Sequence, residues 1–172
     1  MKSTFLIVLF VFVFQSISAQ ETRSIVEIVD DLTIKWDNEA KALDSYEGLE
    51  NYCHNRVYRM ETIKLLDEIH HYDTVLYAIV STKYKDSEDA EARATLDDIE
   101  TLESDYTTLS FKKFLRAECG KLNDTERNYG AQQGEEYTKE VALLEEELDK
   151  YIMSITRRID IIDEHIHHLK GL

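Results

Sequence analysis

Two stretches of the chain space their side chains as a metal site would: Glu68-x-x-His71 and Glu164-x-x-His167. Residues three apart on a helix share a face, so each stretch sets a carboxylate beside an imidazole. His165 lies within the second stretch and His168 follows it, and with Glu164 and His167 they supply donor types that divalent zinc accepts. The two cysteines, Cys53 and Cys119, are the other reactive groups, and in an exported chain they are expected to pair. Nucleophilic and phosphate chemistry have no foothold. The sequence holds no G-x-S-x-G elbow, no Gly-rich phosphate loop and no C-x-x-C-H haem attachment site. With 35 Asp and Glu, arbitrary carboxylate pairs abound and none is set apart as catalytic. The expectation is therefore a non-enzyme with no resident cofactor, a divalent metal such as zinc being the alternative.

The doubled Glu-x-x-His pattern resembles the ligand motifs of ferritin-like carboxylate bundles, where two such motifs and one Glu from each of two further helices hold two metal ions. The resemblance involves these motif residues alone. Whether they can meet depends on the helices that carry them.

Pro is absent and only five Gly occur, so long uninterrupted helices are permitted. The last helix is the clearest: from Val141 through Leu144, Leu148, Ile155 and Ile162 to Leu169, apolar residues recur in steps of three and four. Glu135 and Glu136 open it and the histidines close it, matching the helix dipole at both ends. Ser24 and Glu27 form a capping box for a first helix through Leu32, Trp36 and Leu43, expected to end near Gly48. A second helix runs from about Leu49 or Arg56 to Tyr84, with Met60, Ile63, Leu66, His70, Tyr77 and Val80 as its stripe. A third starts at Ser87, passes through Leu102, Tyr106, Leu109 and Phe114, and closes at Gly120. Residues 121–134 read as a long connection. The fold class is thus all-α, an antiparallel four-helix bundle with coiled-coil-like seams.

In that topology a hairpin turning at Asp86 places Cys53 and Cys119 at equal height, which supports a disulfide. The same counting sets His71 near Glu103, Glu27 and Lys150, and leaves His167 far along the axis. The two Glu-x-x-His motifs then cannot share one site: Glu68, His71, Glu103 and Glu27 could hold a single metal and the C-terminal histidines another, but His70 and His71 read first as core or boundary histidines bonded to Asp73 or another carboxylate.

Residues 1–19 stand apart. Lys2, the apolar run Phe5–Phe14 and the small residue Ala19 form the three regions of a secretory signal, and the run is too short to span a bilayer. The domains are then a cleaved signal peptide, 1–19, and one helical domain, 20–172, with no membrane span after cleavage. Secretion or a periplasmic location follows. The Ala-Gln junction suits bacterial export, whereas the sequon Asn123-Asp124-Thr125 suits eukaryotic secretion.

A formal charge of -15 repels phosphate backbones and anionic membranes, which makes nucleic acid a poor partner. Hydrophobic residues at 43% are too many for a disordered acidic tail. Four of the six Phe lie in residues 1–19, so the domain relies on tyrosine, and Tyr46, Tyr52, Tyr58 and Tyr72 gather on the first hairpin as a candidate protein-contact surface. The expected role is non-enzymatic: a protein-binding, scaffold or chaperone-like module, with a metal-binding or metal-sensing bundle as the alternative.

Overall fold

The computed structural model describes residues Ile25–Tyr84, Asp105–Asp124 and Gly134–His168, together with Ala90, Arg93, Ala94 and Asp97. The three continuous stretches form five helices, the four single residues are also helical, and no described residue is in a strand. The five helices are α1 (Ile25–Leu43), α2 (Tyr46–His54), α3 (Arg56–Tyr84), α4 (Thr108–Asn123) and α5 (Glu135–His168). The signal-like residues 1–19, the capping residue Ser24 and the turn at Asp86 lie outside the described residues.

Each local break has a capping residue. At the end of α1 the chain turns through Asp44 and Ser45, whose hydroxyl accepts the Gly48 N–H at 3.1 Å and caps α2. Gly48, read from sequence as the terminator of the first helix, sits inside α2 instead. A Cβ there would lie 2.0 Å from the Ala42 carbonyl oxygen, so only glycine allows α2 to cross so close to the end of α1. Asn55 ends α2 and begins α3, because its side-chain oxygen accepts the Tyr58 N–H at 3.1 Å. The third helix expected from Ser87 to Gly120 is broken: Ala90, Arg93, Ala94 and Asp97 are helical, Asp105–Thr107 are not, and α4 begins at Thr108. Thr107 caps it through a reciprocal box with Ser110, which leaves Tyr106 ahead of the helix. It also runs past the exposed Gly120 to Asn123, since nothing near that glycine demands a turn.

The helices pack around one core. Trp36 and Phe111 are almost fully buried and meet edge to face, with ring centres 6.5 Å apart, and Phe111 stacks on Tyr151 at 4.9 Å. The Trp36 indole N–H donates to the Thr156 hydroxyl at 2.8 Å, which places α1 against α5. With Tyr46 N–H donating to a Glu145 carboxylate oxygen at 3.1 Å, this fixes α1 and α5 as antiparallel. Thr62 donates to Glu39 and Lys35 faces Glu68, so α3 is antiparallel to α1. Lys112 pairs with Asp67 and Arg158 with Asp73, which places α4 and α5 against α3, and since α5 and α3 both oppose α1 they run parallel to each other. On α5 the expected stripe is buried at Leu144, Leu148, Ile155, Ile159 and Ile162.

Cys53 and Cys119 lie at disulfide distance, with Cα atoms 5.1 Å apart across 66 residues, and link α2 to α4. The first partner thus belongs to the short α2, just before the break at Asn55, and not to α3. A link closing a loop of this size stabilises a fold by about 4 kcal/mol on a chain-entropy account.

Candidate functional site

The sequence-predicted metal ligands do not converge among the described residues. Glu68 faces Lys64 at 3.7 Å and Lys35 at 3.9 Å, so two ammonium groups occupy the surroundings a cation would need. His71 is exposed and turns its ring edgewise to Tyr72, 5.1 Å away. Asp73, the expected partner of the neighbouring histidines, bonds Arg158 at 2.9 Å instead. The pairing of Lys35 with Glu68 sets His71 near Asp31, about one turn from Glu27, because α1 ends earlier than its stripe implies. From the pairing of Asp73 with Arg158, Glu164 lies about 12 Å further along the axis than His71. Glu164 itself is exposed. Glu103 and the side chains of His165, His167 and His168 lie outside the described residues. Among the described residues no group of three or more His, Cys, Asp or Glu is placed to hold a metal ion.

The site that does form is one the periodicity pointed away from. Met60 and Ile63 look like core positions, yet they are 63% and 40% exposed. Helix α3 turns Thr62, Leu65, Leu66 and Ile69 inward. Thr62 is held there by two bonds, donating to the Glu39 carboxylate at 2.5 Å and to the Tyr58 carbonyl at 3.0 Å. These hydrogen bonds make a buried threonine acceptable and rotate the helix so that Met60 and Ile63 face outward.

Between α1 and α3 this rotation leaves an open groove of about 730 Å³. Ile28, Leu32, Met60, Ile63 and Tyr72 supply its apolar surface, while Asp31, Lys35, Lys64, Asp67 and Glu68 edge it with charge. A smaller depression of about 330 Å³ continues it past Lys35 and Lys64 to Glu39 and Glu61. Burial pushes the Glu39 carboxyl above the usual carboxylate range, the Thr62 and Tyr58 hydroxyls oppose this, and the charge of Glu61 adds to it. Tyr58 lies below, its hydroxyl pushed well above the ordinary phenol range by burial and then by Glu39.

Of the tyrosines expected to form a contact surface, Tyr52 is buried, and Tyr46 and Tyr58 are half-buried against the core. Only Tyr72 lines the groove. Val57 is 65% exposed, which with Met60 and Ile63 gives α3 a second apolar row at helical spacing. That row is the sequence signal for the groove, and it is indistinguishable in period from a core stripe.

No helix among the described residues is long and apolar enough to cross a membrane. No protein-family model matches this chain, and neither a curated protein nor a solved structure matches it.

Proposed function

We propose that the chain is an exported, acidic, non-enzymatic protein-binding module, built as an antiparallel four-helix bundle behind a cleaved signal peptide, and that it engages its partner through the groove between α1 and α3. The observation that carries this reading is the exposure of Met60 and Ile63 beside the groove's apolar floor. Isolated surface hydrophobes need no explanation, but apolar side chains grouped in a concave surface with a charged rim are the anatomy of an interface. Methionine suits such a surface because its flexible thioether adapts to different shapes. The Cys53–Cys119 link supports an oxidising compartment, where disulfides persist.

Site-directed photocrosslinking tests the reading. A benzophenone side chain replacing Met60 should capture a protein in the native cells, whereas the same group at Ile34, equally exposed but outside the groove, should not. Equal labelling from both positions would remove the groove as the docking surface.

A further inference from the structure

If the groove between α1 and α3 is a docking surface, as proposed above, its charges specify what docks there. The charges along its apolar half are already matched. Lys35 pairs with Asp31 at 2.9 Å, Lys64 faces Glu68 at 3.7 Å, and Asp67 is held by Lys112 of α4. The far end differs. Glu39 and Glu61 meet there, and among the described residues neither forms an ion pair with a lysine or arginine. Glu39 accepts from the Thr62 hydroxyl, and Glu61 is exposed.

The groove's length constrains the occupant as well. From Ile28 to Glu39 on α1, and from Met60 to Tyr72 on α3, the walls extend about 16 to 18 Å, or roughly three helical turns. We propose that the occupant is a basic amphipathic helix of a partner protein, with its apolar stripe on Leu32, Met60 and Ile63 and a Lys or Arg at the Met60 end of the stripe, between Glu39 and Glu61. An amphipathic helix laid in an apolar groove buries both apolar surfaces, and a cation at its end complements two carboxylates that otherwise repel each other. An apolar small molecule would leave that acidic end unmatched. A second copy of this chain would bring another -15 of net charge to a groove whose own Lys35 and Lys64 already face Asp31 and Glu68.

Three synthetic helices with the same leucine stripe, ending in Arg, Gln or Glu, provide the test by fluorescence anisotropy at physiological salt. The Arg peptide should bind about tenfold tighter than the Gln peptide, and the Glu peptide weakest. Replacing Glu61→Gln should narrow the Arg preference, while Glu136→Gln, an exposed carboxylate at the start of α5, should leave it unchanged. Met60→Asp should weaken every peptide by about tenfold or more, with helicity by circular dichroism retained. Equal binding of the Arg and Gln peptides, both lost in Met60→Asp, would overturn the basic partner and leave the docking groove standing. Undiminished binding by Met60→Asp would overturn both, because general attraction to an acidic chain would then explain it. A dimer in sedimentation that Met60→Asp dissolves would assign the groove to a second copy and overturn the proposal.

Discussion

Helix α1 packs along both α5 and α3 and treats the two differently. Against α5 it closes a seam in which Trp36 is 1% exposed, its indole N–H bonded to Thr156 and its ring set against Phe111. Against α3 it closes only one side: Thr62, Leu66 and Ile69 pack inward, and Met60 and Ile63 stay open to solvent. Both surfaces are apolar and helically spaced, so composition does not distinguish them. What does is whether a facing element fills the space. The seam's apolar residues hold the fold together, whereas those of the groove are free to contact something else.

The comparison breaks first, and most visibly, on stability. Trp36→Ala removes a filled position and should cost about 3 to 5 kcal/mol in denaturant unfolding, while Met60→Ala should change it by less than about 0.5 kcal/mol. Similar losses at both positions would show that the groove is core after all. Reducing the Cys53–Cys119 link, or replacing both cysteines by serine, should cost about 4 kcal/mol by releasing α2 from α4. A midpoint unchanged by reductant would mean the two helices are held without it.

A smaller effect is expected where α3 meets α5. Arg158 is 5% exposed and Asp73 is its charge partner, while the Arg158 Nε and Nη2 atoms make no hydrogen bond among the described residues. Asp73→Asn leaves that guanidinium buried without its counter-charge and should cost about 3 kcal/mol. The combined Asp73→Leu, Arg158→Met variant should recover much of the loss, because replacing both partners removes the uncompensated charge. If the double variant is no better than Asp73→Asn, the pair contributes shape and not charge.

The smallest predicted effect is on pH dependence, and it separates the seam's edges from its centre. Desolvation raises the Asp149 carboxyl, with Asp44 and then Glu145 adding to it; desolvation also raises Asp160, with Asp37 and Asp163 adding. A carboxyl raised in the folded state binds its proton more tightly there than in the unfolded chain. Its stabilising contribution is therefore present at acid pH and is lost as pH rises through the raised folded value. Thermal melting should shift modestly upward between about pH 7 and about pH 5, where unperturbed aspartates remain ionised. Asp149→Asn should flatten that slope, and a melting temperature that falls over this interval would contradict the prediction.

Much of the architecture was legible before any contact was known. The α5 stripe reads correctly because Leu144, Leu148, Ile155 and Ile159 form its one sustained apolar row, and the row is long enough to exclude a strand. The cysteine pairing was expected from residue type and chain spacing, and the open choice of Leu49 or Arg56 as the second helix's start is resolved at Arg56, which leaves Cys53 on α2. The breaks at Ser45 and Thr107 were missed because serine and threonine are ordinary within helices, and their capping bonds depend on backbone geometry. Gly48 was recognised as a special position for the wrong reason: its role is close approach to Ala42, which no periodicity reports. The groove was hidden because α3 carries two helically spaced rows.

By itself, then, the sequence determined that this protein is helical, acidic and able to link its two cysteines, since those properties follow from absent proline, net charge and residue type. Tertiary structure alone decided which row of α3 faces inward. Thr62 finds Glu39 across the helix interface and is buried, so Met60 and Ile63, whose spacing serves a core equally well, are turned to the surface. Periodicity states that residues share a face; only the neighbours determine whether that face is covered.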